Sequence, residues 1–129
     1  MEKKIFETKA APAAAGPYSQ AVRANGFLFV SGQLPIDPDT GEMIKGDAAK
    51  AAERVIRNIQ NILEAVGARM DDVVKTTVYL KDMGDFARVN EVYARFFTKK
   101  HPARVCVAVK DLPKGADIEI DAIAFAGRE

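Results

Sequence analysis

The sequence has little of what many catalytic and anchoring devices are made from: one cysteine, one histidine and no tryptophan in 129 residues. Cys106 has no partner for an internal disulfide, and one Cys with one His falls short of the usual zinc ligand sets. Spacing marks no Ser or Cys as a nucleophile for His101, which removes hydrolase triads. Gly-x-Gly-x-x-Gly and Walker sequences are both missing, so phosphate loops are excluded. No apolar run nears the ~18 residues needed to span a bilayer. There is no Asn-x-Ser/Thr sequon, and the charged start from Met1 to Glu7 is no secretory signal. Charge of one sign is lacking as well. With 19 Lys+Arg against 18 Asp+Glu the net charge is +1, scattered without blocks, which gives no nucleic-acid or membrane surface. These absences predict a cytoplasmic protein in a reducing compartment, without metal.

What is present describes one domain over residues 1–129. Hydrophobic residues make up 48% and charged residues 29%, enough apolar side chain for a core without staples. A short alternation from Lys3 to Glu7 suggests a first strand, and Ser19 to Ala24 a second. Asn25-Gly26 follows, then Phe27 to Ser31; Asn-Gly favours a type I′ turn because both central positions need positive φ, so a hairpin is expected. Gly32 to Gly46 is rich in Gly, Pro and Asp and reads as a long functional connection. Asp47 can cap a helix whose apolar positions run from Ala51 to Val66, with Gly67 as its left-handed stop. Val73 to Leu80 is a β-branched strand. A second helix is expected from an Asp85 cap through Phe97, with Lys99 and Lys100 at its negative end and Pro102 as its stop. Arg104–Val109 and Ile118–Phe125 close the chain as strands. The order ββαβαββ, with two helices on one face of the sheet, implies an α+β layer fold.

Alternation groups Val105, Val107 and Val109 on one face of their strand and Arg104, Cys106 and Ala108 on the other; it likewise separates Glu119 from the Ile118, Ile120, Ala122 and Ala124 set. If the valines and isoleucines pack under the helices, the opposite face carries Arg104, Cys106 and Glu119 among apolar residues. That face is too apolar for open water, and a second subunit is its expected cover.

Several residues on this layout could do chemistry. The Arg104 guanidinium offers a planar fork that matches a carboxylate with two hydrogen bonds; an ion pair with Glu119 is the alternative. Glu119 in a partly dry interface can hold or deprotonate a water, or it can simply be a solvated strand residue. Tyr18, in Gly16-Pro17-Tyr18-Ser19, can present its phenol to a cleft or pack on a core edge. Ser31-Gly32-Gln33 can approach a ligand through its backbone, since Gly32 has no side chain in the way. Asn90 is either solvated or reaches a cleft. Cys106 fits a structural thiol better than a nucleophile, and His101 fits a helix end.

Five segments together resemble a known family. Gly16-Pro17-Tyr18-Ser19-Gln20-Ala21, Phe29-Val30-Ser31-Gly32-Gln33, Val89-Asn90-Glu91-Val92-Tyr93, Pro102-Ala103-Arg104-Val105-Cys106-Val107 and Ile118-Glu119-Ile120-Asp121-Ala122-Ile123-Ala124 are similar, in order and over nearly the whole chain, to the RidA-type reactive intermediate deaminases. The resemblance implies a chorismate-mutase-like fold and a homotrimer with active sites between subunits. It also implies cofactor-free hydrolysis of 2-imino acids, such as 2-iminobutanoate and 2-iminopropanoate, to 2-oxo acids and ammonia, which protects pyridoxal-phosphate enzymes. Carried over residue by residue, it makes Arg104 the carboxylate clamp. Glu119 and Tyr18 position water and protonated groups, while Ser31, Gly32, Asn90 and the backbone at Cys106 line the pocket. Two departures accompany it: a short connection from Phe97 to Pro102, and Asp121 where Glu often stands. RNA cleavage with translation inhibition, and a non-enzymatic trimeric chaperone or ligand sensor, are the competing functions. The balanced charge argues against the first.

Overall fold

The structure is a computed structural model and describes residues 2–127. Eight elements form it: β1 (Lys4–Phe6), β2 (Ala21–Ala24), β3 (Phe27–Gln33), α1 (Ala48–Val66), β4 (Val73–Leu80), α2 (Phe86–Phe96), β5 (Ala103–Ala108) and β6 (Ile118–Phe125), with short 3₁₀ turns between some of them. The strands make one six-stranded sheet in the order β1-β2-β3-β6-β4-β5. Only β4 and β5 run parallel, as their connection through α2 requires; the other pairs are antiparallel. The short β1 joins the edge, so the described order is βββαβαββ rather than ββαβαββ.

Local chemistry explains most boundaries. Asn25 (φ 53°) and Gly26 (φ 84°) make the left-handed turn that the β2–β3 hairpin needs. Asp47 Oδ1 accepts from the Lys50 N–H at 3.0 Å and starts α1. At the other end Gly67 (φ 88°) donates to the Glu64 carbonyl and Ala68 donates to Leu63, a Schellman stop. The second cap differs from expectation. Asp85 makes no capping hydrogen bond; its carboxylate lies 3.7 Å from Arg88 Nη1, while Asp82 Oδ1 accepts from the Gly84 N–H at 2.8 Å. The cap therefore moved one turn earlier, onto the 3₁₀ turn that leads into α2. His101 is exposed and caps nothing among the described residues.

Both helices lie on one face of the sheet and share a core with it. Val55, Ile56, Ile59 and Ile62 of α1 and Val89 and Val92 of α2 pack with Leu28, Val30, Val78, Leu80, Ile118 and Ile120 of the strands. Burying each of the larger ones contributes about 1.5–3 kcal/mol.

Two bulges shape the sheet. Between Val30 and Gln33, β3 spends one residue more than β6 does between Ala122 and Ile120. The strand thus continues through Gly32 and Gln33, beyond the Ser31 end that the sequence predicts. Between Val73 and Lys75, β4 carries an extra residue against β6, which turns Val74 outward.

The face expected to be covered on β5 is reversed. Arg104 pairs with Thr76, Cys106 with Val78 and Ala108 with Leu80, all on the helix-bearing side, and Cys106 packs against the core. Val105 and Val107 point to the open side, 43% and 39% exposed. Alternation says which residues share a face but not which face the helices cover; the parallel register with β4 decides that. Ile5, Phe27, Phe29 and Phe125 join the two valines as exposed apolar residues of the sheet.

Candidate active site

A cleft of about 640 Å³ opens at the β3 bulge, with Tyr18, Ser31, Gly32 and Glu119 in its wall beside the apolar Leu34 and Pro113. Its centre is the contact between Gly32 and Glu119. A Cβ built on Gly32 falls 2.7 Å from Glu119 Cδ and 3.1 Å from Cγ, so only glycine lets the carboxyl lie flat against the backbone. The extra residue in β3 creates this approach, and such bulges commonly re-aim groups beside sites.

Glu119 projects from β6 on the open side, between its cross-strand neighbour Tyr79 and Asp121 two residues along. Among the described residues no hydrogen bond or ion pair satisfies its carboxylate. Burial, chiefly, and then the negative Asp121 push its pKa above the usual glutamate range. The Tyr79 hydroxyl donates to Asp121 Oδ2 at 3.1 Å rather than to Glu119.

Tyr18 is held by its turn and not by the core. Its N–H donates to the Gly16 carbonyl at 2.8 Å, its phenol oxygen accepts from the Ala15 N–H at 3.3 Å, and 54% of it remains exposed. The Ser31 hydroxyl donates to the Ser19 carbonyl at 2.5 Å, so its proton ties the Tyr18 turn to β3 and only its lone pairs face a ligand.

The other predicted residues stand elsewhere. Arg104 lies across the sheet, where its Nη1 donates to Asn90 Oδ1 of α2 at 2.7 Å and its Cζ sits 4.8 Å from the Tyr93 ring and 5.5 Å from the Phe86 ring. Because Arg104 is on the helix-bearing face and Glu119 on the open face, the ion pair weighed between them does not form. The Cys106 thiol is half-buried and burial pushes its pKa up, with the Arg104 charge opposing, so it remains a packed thiol. One chain thus gathers Tyr18, Ser31, Gly32 and Glu119 in one cleft, and Arg104, Asn90 and Cys106 in a second group on the opposite face.

Sequence reading missed Gln20. This side chain is 2% exposed; its Oε1 accepts from the Thr8 N–H at 2.8 Å, and its Nε2 donates to the Thr8 and Pro12 carbonyls at 3.1 and 2.9 Å. It fixes the segment whose Pro12 to Ala15 stretch walls the cleft. A buried-parity Gln just before a strand was the available signal. The described residues contain no cluster of three or more His, Cys, Asp or Glu that could hold a metal, and no helix long and apolar enough to cross a membrane.

Comparison with known proteins shows the family of the chain. The family model described as Endoribonuclease L-PSP matches residues 8–126. A RutC family protein of Pyrococcus abyssi is 54% identical over 125 residues, covering 97% of this chain and 98% of its own. The mouse 2-iminobutanoate/2-iminopropanoate deaminase is 44% identical, covering 97% of this chain and 93% of its own. The crystal structure of Escherichia coli TdcF with bound serine superposes with a TM-score of 0.90 at 43% identity, covering 98% and 99% of the two chains. On a family match that leaves out only the chain's ends and relatives this similar along their whole length, the chain belongs to the L-PSP family, the YjgF/RidA family expected from its five segments.

Proposed function

We propose that the protein hydrolyses small 2-imino acids to 2-oxo acids and ammonium, in clefts completed by a neighbouring copy within a homotrimer of chorismate-mutase-like subunits. The observation that carries this reading is the separation of Arg104 from Glu119 on opposite faces of one sheet. The face bearing Glu119 also bears exposed Phe29, Val105 and Val107, which favour a second protein surface over water. A ring of copies joined head to tail brings the Arg104 face of one against the cleft of the next. The serine bound by the E. coli relative and the name of the mouse relative support a small amino-acid-like substrate.

The chemistry needs little equipment. Arg104 holds the substrate carboxylate through two parallel hydrogen bonds and so fixes the protonated imine carbon over the cleft. Glu119 takes a proton from water as the water oxygen bonds to that carbon and the C=N π electrons move to nitrogen. The carbinolamine then collapses: the nitrogen gains the proton from Glu119, the hydroxyl gives its own to the freed Glu119 carboxylate as C=O forms and C–N breaks, and the departing ammonia takes that proton from Glu119. Iminium and water become 2-oxo acid and ammonium, with no oxidant or cofactor. A carboxyl whose pKa is raised by burial suits both proton steps. The Tyr18 phenol and the Gly32 and Cys106 backbone supply further polar contacts, with Ser31 as an acceptor.

The test generates 2-iminobutanoate with a threonine dehydratase in the presence of semicarbazide. The protein is expected to suppress semicarbazone and raise 2-oxobutanoate. Semicarbazone formation unchanged at equimolar protein would overturn the reading. RNA cleavage, named in the family description, is checked in parallel on nuclease-free protein.

A further inference from the structure

We propose that Tyr93, braced by Thr76, is a positioning residue that pre-orients the Arg104 guanidinium for a substrate carboxylate. This rests on the reading of Arg104 as the carboxylate clamp and adds the device that makes the clamp rigid.

Arg104 sits on an exposed edge strand, where a long side chain ordinarily samples many rotamers and loses that freedom when it grips a ligand. Here the freedom is already spent. Phe86, Asn90 and Tyr93 lie at i, i+4 and i+7 on one stripe of α2, and each touches Arg104: the two rings by their faces and Asn90 by its oxygen. The shelf is itself fixed. Tyr93 is buried, its hydroxyl lies 2.7 Å from Thr76 Oγ1, and its ring stacks on Phe97 at 4.3 Å with a 30° tilt. Thr76 is also the residue paired with Arg104 across the β4–β5 ladder. Backbone, hydroxyl pair and ring face therefore close a loop around the guanidinium. Burial raises the phenol's pKa, so the ring remains neutral. A cation over an aromatic face is attracted without being neutralised, so the fork keeps its full charge for a ligand.

This arrangement has a signature that general destabilisation lacks: its loss weakens binding of the carboxylate and spares the rest of the ligand. The experiment measures the dissociation constants of 2-oxobutanoate and of its uncharged counterpart 2-oxobutanamide for the wild type, Tyr93→Leu, Tyr93→Phe and Arg104→Ala. Circular dichroism and light scattering confirm the same folded assembly in each. Tyr93→Leu is expected to weaken 2-oxobutanoate by about 5- to 20-fold while leaving the amide within about twofold, and to raise KM more than it lowers kcat. Tyr93→Phe keeps the ring and is expected to restore most of the preference for the carboxylate. If Tyr93→Leu does not fold, Tyr93→Met fills the space without a π face and carries the same measurement. Equal weakening of both ligands, or no change in either, overturns the proposal. If Arg104→Ala itself leaves the carboxylate preference intact, the clamp reading fails instead, so the two failures are distinct.

Discussion

Arg104 and Glu119 stand on opposite faces of the same sheet, with β4 between their strands. A short acid cannot bridge that separation within one chain. On the proposed reading the arrangement becomes a site only when the Arg104 face of one copy meets the Glu119 cleft of another, and assembly and activity are then coupled.

Arg104→Ala is expected to lower kcat/KM by about 30- to 1,000-fold, the loss of a charged pair of about 2–4 kcal/mol in a desolvated cleft. Arg104→Lys keeps the charge without the planar fork and is expected to recover only part of it. Steady-state assays with enzymatically generated imine check both, and wild-type kcat/KM in Arg104→Ala contradicts the account.

Gly32→Ala separates chemistry from stability. The φ of Gly32 lies outside the left-handed region, so alanine meets no backbone strain and the expected stability change is within about 1 kcal/mol. The added methyl displaces the Glu119 carboxyl, and kcat is expected to fall at least about tenfold as the base leaves its position. Thermal denaturation and kcat measured on the same preparation test the pair of outcomes.

Asp121→Asn is expected to move the acid limb of the kcat/KM profile to lower pH. Burial and the Asp121 charge both hold Glu119 protonated to higher pH than an ordinary glutamate, and the substitution removes the second cause. The same shift has a sign for stability. A carboxyl with a raised folded pKa binds its proton more tightly in the native state, so its contribution is most favourable at low pH. It declines as pH rises from the unfolded value through the folded one. Glu119→Gln is expected to flatten that decline in denaturant titrations run upward in pH from the ordinary glutamate pKa of about 4.3.

Phe29→Glu places a charge in the middle of the open face and is expected to give monomers that keep native circular dichroism and lose activity. Light scattering reads the mass. A folded, fully active monomer would show that the cleft needs no neighbour.

How much of this was legible in the residues varied with the range of the interaction. Asn25-Gly26, Asp47 and Gly67 announce their turn, cap and stop because those are contacts within a few residues. The alternation of β6 marks Glu119 as facing away from Ile118 and Ile120 because both isoleucines need a core. On β5 the same reasoning fails. Val105 and Val107 look like core, yet the register with β4 turns them outward and seats Arg104 on α2. The bulges at Ser31-Gly32 and at Val74 were likewise invisible, since each depends on a partner strand far away in sequence. The cleft residues could therefore be named from the family's segments, but their division between two faces required the fold.

Subunit complementation tests that division most directly. Arg104→Ala and Glu119→Gln chains, each inactive alone, are unfolded together in equal amounts and refolded. In a head-to-tail ring each cleft draws its Arg104 and its Glu119 from different copies, so about a quarter of the clefts regain both and activity returns to about that fraction of wild type. A mixture that assembles normally and stays inactive would contradict the shared cleft.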